Sequence, residues 1–509
     1  MKRLFIVLLS LVLLTGQRAG AQAAVDRELP EFRVTQPEVE APLRFLASDE
    51  LRGRRTGAPG NDIAARYLAA QLEAHGVQPV EGAYFQPVPL VVTRPPAESR
   101  LMLDGTDFAF GEDYIIMAGE AADLNTTAVF AGHGWVDADQ DIDDYKGLDV
   151  AGKVVFTLSG YPGAETPNEV FESMAVKQQL ARERGAAALI EVYTLGFPWS
   201  FFRRYFGGES MRLEEAEADE AAGDDALIYG WIKNIGQEEV FARLREGENV
   251  EVGLSSSGFG KEAIRARNVV GIVEGSDPAL RDEYVLLTAH YDHVGVGRQG
   301  GGPFTEQDSI FNGARDNAMG TVALLTAARA LAQQPPRRSV IILAVTGEEL
   351  GLLGSNYYAD HPLVPLDQTV FNLNTDGAGY NNTEYVSVVG FGRTGTDAAI
   401  EAAAAAAGLE VFPNPAPEQN LFDRSDNVAF AKKGVPALTF SPGFTAFDET
   451  ISKYYHQVAD EADAVDMGYL LQYCRAYAHL ARLIADADER PQWKAGDKYE
   501  AAGKELYKN

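Results

Sequence analysis

The chain holds a single cysteine, Cys474, in 509 residues. That excludes an intrachain disulfide and any thiolate-built metal cluster, so a metal, if held, is held by nitrogen and oxygen. Cations are scarce as well: Lys and Arg total 44 against 74 Asp and Glu, a formal charge of −30. A phosphate backbone needs clustered cations, which argues against a nucleic-acid partner. Long apolar runs are missing beyond the N-terminus, where Leu4 to Leu14 follows Lys2 and Arg3 and precedes Ala19-Gly20-Ala21. That order of charged, apolar and small residues is the layout of a secretory signal, and the stretch is short for a membrane span. Residues 1–21 are therefore expected to be a leader, with no cysteine after it to carry a lipid. The mature protein is expected to be exported, periplasmic or extracellular, without a membrane anchor.

What is present is a chain with 46% hydrophobic residues, a globular composition long enough for two or three domains. Residues 42–77 place apolar residues at helical spacing on both sides of a Gly/Pro turn, with Gly76 closing the second helix. Short alternating runs from Phe85 to Gly119 predict strands. Between Asn125 and Leu254 further strand-like runs flank the helical "KQQLARERGA". The acidic stretch 213–225 reads as a solvated loop or helix face. From "ARNVVGIVEG" onward, strands and helices alternate to about Asp486, which predicts a largely parallel sheet covered by helices.

Chemistry gathers where three apolar runs stop. "YVLLTAHYDH" delivers His290 and Asp292, "SVIILAVTGEE" delivers Glu348 and Glu349, and "TVFNLNTDG" delivers Asp376. In a parallel α/β sheet such strand ends open onto one crevice. Asp316 precedes an Ala/Leu-rich helix, and His456 in "YYHQVADEADAVD" precedes another. Each residue alone has a structural explanation: a histidine satisfied in the core, an aspartate capping a helix or making an Asx turn, acids at a helix start. Together, this many carboxylates at one sheet edge repel one another unless cations compensate them, and imidazole with carboxylate is an ordinary zinc donor set. The charges of Asp316, Glu349, Asp376 and a bridging hydroxide balance two divalent ions.

The ordered series "AHYDH", "GARDNAMG", "TGEELGLLGS", "NTDG" and "YYH" resembles the di-zinc exopeptidase family that includes secreted bacterial aminopeptidases and glutamate carboxypeptidase II. The resemblance covers nearly all of the chain after the leader. It implies an α/β fold with a mostly parallel mixed sheet flanked by helices, and an inserted β-rich protease-associated domain. The implied organisation is an N-terminal part of the catalytic domain over 22–117, the insert over 118–256, the catalytic di-zinc domain over 257–490 and a polar, peripheral tail over 491–509.

By the same resemblance, His290, Asp316 and Asp376 would hold one zinc ion and Asp316, Glu349 and His456 a second, so that Asp316 bridges. Cobalt or manganese could stand in for zinc. Glu348 would be the general base. Asp292 would hydrogen-bond the His290 imidazole and fix its tautomer, and Tyr455 would face the tetrahedral oxyanion. Asp426 would help shape the substrate pocket. His293 stands where many relatives carry Ser and is expected at the rim. Ala437 to Phe440 stand where acid-selective relatives carry arginines, which weakens a glutamate-directed carboxypeptidase.

Several signals are set aside. "GFGRTG" at 390–395 follows a strand but lacks the ribose-binding acid of a dinucleotide site. "GRQGGGPF" reads as a loop beside the metal site, and His133 and Trp135 as structural. The leading expectation is an aminopeptidase acting on the N-terminus of a peptide or protein. A carboxypeptidase, a glutaminyl-cyclase-like enzyme and a binding relative without catalysis stay open.

Overall fold

The computed structural model describes residues 28–215, 227–234 and 238–508. The expected leader and most of the acidic stretch lie outside the described residues. Two compact units emerge: the residues through Val88 together with those from Arg265 onward, and Pro89–Ile264. The second unit reaches further on both sides than the expected insert of 118–256.

In the first unit, one sheet runs in the order Phe85–Arg94, Gly260–Val273, Ser339–Val345, Tyr284–His290, Thr369–Thr375, Ala437–Pro442, Tyr385–Val389, Glu410–Pro413. The four strands from Ser339–Val345 to Ala437–Pro442 are mutually parallel. Antiparallel neighbours flank them on both sides, so the sheet is mixed as expected. Strands buried on both faces must be apolar throughout, and Ser339–Val345 is buried at every position. Alternate residues serve opposite faces. Val285, Leu287, Val340 and Ile342 join the cluster that holds the helices Met319–Gln333 and Met467–Asp486. Leu286, Ile341 and Leu343 pack instead with Tyr358 and Phe430 of the helices Leu353–Asp360 and Asn427–Lys432. Each such side chain, fully removed from water, contributes about 1.5–3 kcal/mol.

The register decides where the chemistry lies. His290 pairs with Val345, and Thr288 with Asn374. The three parallel strands therefore end level, and the residues just after each end share one edge.

The C-terminal segment departs from the expectation of a peripheral tail. Trp493 is buried, and its indole N–H donates to the Gly434 carbonyl at 3.0 Å. Arg393 lies over the Phe422 ring at 3.8 Å and the Trp493 ring at 5.2 Å, and pairs with Asp497. This also explains "GFGRTG": its arginine anchors the tail. Gly434 has φ +101°, and a Cβ there would lie 2.4 Å from the Ala502 carbonyl oxygen.

The second unit carries an eight-stranded mixed sheet, centred on the parallel strands Val154–Leu158, Ala188–Tyr193 and Ile228–Lys233. Its helix Pro167–Glu183 sends Lys177 to a wholly buried ion pair with Glu191, which also accepts from Tyr229. A buried pair of this kind is tolerated because each charge meets its counter-charge and further hydrogen bonds. His133 lies 3.2 Å from the Ser159 carbonyl oxygen, and Trp135 stacks on Tyr161, both structural contacts.

Candidate metal centre

His290 is the last residue of its strand, so its imidazole leaves the sheet at the level edge. Nε2 lies 3.0 Å from Oδ1 of Asp376 and 3.4 Å from Oδ1 of Asp316. Asp376 directly follows the Thr369–Thr375 strand, and its other oxygen accepts from the Ser425 hydroxyl at 2.5 Å. Gly347, at φ +75°, turns the chain out of the Ser339–Val345 strand and brings Glu348 and Glu349 to the same edge.

Asp316 lies in the loop opened by Gly313, and Asp460 accepts from the main-chain N–H groups of Arg315 and Asp316 at 3.0 and 3.2 Å. Its carboxylate reaches two imidazoles: Oδ2 lies 3.3 Å from Nε2 of His456. The same His456 nitrogen is 3.0 Å from Oε2 of Glu349. An alternating array results, Asp376, His290, Asp316, His456, Glu349. His290, Asp316 and Asp376 each offer a donor atom within 4.8 Å of the other two.

His456 itself sits at φ +53°, against a run of glycines. A Cβ on Gly301 would lie 2.7 Å from that of His456, and one on Gly302 2.1 Å from the Gln457 amide oxygen. The glycine-rich loop thus abuts the array, as its sequence position suggested.

The electrostatics call for positive charge. Burial works to raise the Asp316 carboxyl, yet hydrogen bonds from His290 and His456 hold it far below the usual carboxylate range. Glu349 is held at about 2 by His456 and His293 against burial and the Asp316 charge. Conversely, although burial opposes it, Glu349 and Asp316 push His456 up to about 10, and His290 is likewise raised. Carboxylates this close to imidazoles favour a proton or a metal between them. Two donors on one tetrahedral zinc, each about 2.0–2.1 Å from it, stand roughly 3.3 Å apart. The separations of 3.0–3.4 Å within the array fit that spacing.

A cavity opens on this array, lined by Asp316, Glu348, Glu349, Asp376, Tyr455 and His456, with Arg424, Ser425, Val389, Leu421, Phe444 and Phe447 among its other walls. Glu348 has its main-chain N–H held by Asp292 Oδ1 at 3.3 Å. Burial, together with Asp376, Glu349 and Asp426, raises its carboxyl well above the usual value despite His290. Tyr455 stacks on the His456 ring with centroids 4.1 Å apart.

Three expectations need correction. The partner of His290 Nδ1 is the main-chain carbonyl of Asp292 at 3.2 Å; the carboxylate is 3.9 Å away and accepts instead from Thr56 and Glu348. Asp426 is fully buried behind the cavity wall that Arg424 and Ser425 form, and burial lifts its carboxyl to about 7. Asp426 does not line the cavity; its charge, where it ionises, helps to raise Glu348. His293 is not at the rim. Its side chain is wholly buried, with Nδ1 2.7 Å from Oε1 of Glu349.

Sequence reasoning missed Asp460 and Arg54. Arg54 is buried and donates to the carbonyls of Leu46, Tyr291, Asn312 and Gly313, tying together the loops after His290 and before Asp316.

Residues 268–481, which contain the whole array, match the profile of peptidase family M28. Aminopeptidase YwaD of Bacillus subtilis is 27% identical over 287 residues, 52% of this chain and 58% of that protein. The vacuolar membrane protease of Saccharomyces cerevisiae is 35% identical over 112 residues, 22% of this chain and 10% of its own length. The chain thus spans between about a tenth and three fifths of these relatives. Among solved structures, an aminopeptidase from Aneurinibacillus sp. strain AM-1 superposes with a TM-score of 0.59 at 18% identity, covering 92% of this chain and 97% of that one. A zinc aminopeptidase from Bacillus subtilis gives 0.51 at 19% identity, with 92% and 97% covered. At such identities these two establish the shared fold. The segment that carries every residue of the array is thus the part of the chain that is similar to peptidase family M28.

Proposed function

We propose that the protein is a zinc-dependent aminopeptidase that hydrolyses the N-terminal peptide bond of peptides or proteins. The observation that carries the reading is the alternating array of three carboxylates and two imidazoles beside a cavity that also admits Glu348. His290, Asp316 and Asp376 would hold one zinc ion, and Asp316, Glu349 and His456 a second. Ions held there would polarise the scissile carbonyl and acidify the attacking water.

The chain's own groups do the rest. Glu348 takes the proton from the attacking water and returns it to the leaving amine, a task suited to a carboxylate whose surroundings raise its basicity. Asp292 holds the turn that presents Glu348 through the N–H···Oδ1 bond, while its carbonyl orients His290. Tyr455, packed flat on His456 at the cavity wall, donates to the oxyanion. Asp376 is oriented by Ser425, whose hydroxyl occupies one of its oxygens.

The β-rich unit Pro89–Ile264 supports an inserted protease-associated domain. Among the described residues, no helix is long and apolar enough to cross a membrane.

The test is hydrolysis of a mixed peptide library, with and without chelator, read by mass spectrometry. Chelator-sensitive loss of single N-terminal residues supports the reading. Loss of C-terminal residues from N-blocked peptides would replace it with a carboxypeptidase, and cyclised N-terminal glutamine with a cyclase.

A further inference from the structure

Leu421 and Arg424 both line the cavity, and they stand at the two ends of a single turn of 3-10 helix, Leu421–Arg424. In such a turn positions i and i+3 lie one above the other, so the two residues between them project elsewhere. Those two, Phe422 and Asp423, meet the C-terminal segment. The Phe422 ring stands 5.8 Å from that of Tyr499 and 6.2 Å from that of Trp493. Asp423 is held from three sides. Its Oδ1 accepts from the Tyr499 hydroxyl at 2.8 Å, and its Oδ2 accepts from the Asn420 amide at 3.0 Å and from the Lys498 ammonium. Tyr499 is fixed in turn, because Asp497, which pairs with Arg393, also accepts from its main-chain N–H at 2.9 Å. The chain enters the turn through Asn414, Ala416 and Asn420, at φ +45°, +44° and +50°. Each left-handed residue of this kind costs roughly 1–2 kcal/mol, so the turn depends on contacts from outside itself. On its far side Ser425 is tied to Asp376.

We infer that Asp423 is a positioning residue for substrate selection: braced by Tyr499 and Lys498, it keeps Leu421 and Arg424 in the cavity wall, so that the C-terminal segment governs which side chains the site accepts. This rests on the aminopeptidase reading above. Asp423 touches no reacting group. Released from its partners, the turn would draw back at Leu421 and forfeit the packing that an apolar substrate side chain gains there, with the array unmoved.

Full-length wild type, Asp423→Ala, Asp423→Asn and Tyr499→Phe are loaded with zinc, and kcat/KM is measured for leucine and alanine amides. The ratio of the two is the readout, because it does not depend on the fraction of active protein: a fold merely weakened loses both rates alike. The expected result is that Asp423→Ala lowers the leucine-to-alanine ratio about tenfold, while kcat for the alanine amide and zinc per chain stay within about twofold of wild type. Asp423→Asn keeps an oxygen for the Tyr499 hydroxyl and should restore part of the ratio. Tyr499→Phe should lower the ratio by itself and change nothing further when added to Asp423→Ala. Hydrogen exchange read by mass spectrometry should quicken over 420–424 in Asp423→Ala and stay unchanged over 284–290. Should Asp423→Ala fail to fold, Tyr499→Phe is read in its place. An unchanged ratio, or an equal fall in both rates, overturns the inference and leaves the peptidase reading intact. Wild type that hydrolyses neither amide overturns both.

Discussion

The main-chain N–H of Glu348 donates to Oδ1 of Asp292 across 3.3 Å, joining the turn after one strand to the turn after its parallel neighbour. Replacing the Glu348 side chain leaves this bond in place, which makes Glu348→Gln a clean experiment. Metal content should stay at the wild-type level while kcat falls by about 10²–10⁴. Metal analysis beside steady-state kinetics checks it, and normal turnover would remove Glu348 from the role of base.

Asp316 has the opposite character, since both its oxygens are engaged by imidazoles. Asp316→Asn halves the acceptor capacity of the carboxylate and removes its charge. The expected outcome is loss of bound metal together with activity, read by metal analysis on folded protein. Retention of a full complement would show that Asp316 does not bridge.

Loading should release protons. In the metal-free chain His456 is raised to about 10 and His290 well above the usual value, so both imidazoles carry a proton at pH 7. A metal takes only the neutral imidazole, so loading at pH 7 expels roughly two protons per chain and affinity falls as pH falls. Calorimetry in buffers of different ionisation enthalpy counts them. A proton count near zero would contradict the assignment of these two histidines.

The cavity bears on substrate choice. Val389, Leu421, Phe444 and Phe447 form an apolar wall beside the array. Amides of leucine or phenylalanine should be cleaved faster than those of aspartate, and Phe447→Ala should cut kcat/KM for the apolar substrates about tenfold or more. Equal rates across the series would place the side chain of the substrate elsewhere.

Trp493→Ala tests the tail. Removing a buried indole whose N–H reaches Gly434 should cost about 3–5 kcal/mol, measured by denaturant unfolding. A change within error would return the segment to the periphery.

Much of this was legible before any coordinates. The runs Tyr284–Thr288 and Val340–Val345 announced central parallel strands because burial on both faces forbids polar residues there. His290, Glu348, Glu349 and Asp376 follow from those strand ends, given only that the ends are level. His293 is inside rather than at the rim because Gly313, distant in sequence, opens room for its ring. Asp426 was misread for a related reason: the motif names a short stretch, but only the fold tells which of Arg424, Ser425 and Asp426 meets the cavity. The polar letters of 491–509 concealed Trp493, one ring whose burial outweighs its neighbours.

The glycines at 300–302 have a consequence for anyone reshaping this protein. They act as a spacer of zero thickness behind His456: even the smallest side chain at Gly301 would meet its Cβ at 2.7 Å. Libraries that diversify this loop to widen substrate range would therefore shift a donor atom before they altered the pocket. Variation is better aimed at Leu421, a cavity wall residue that holds none of the donors.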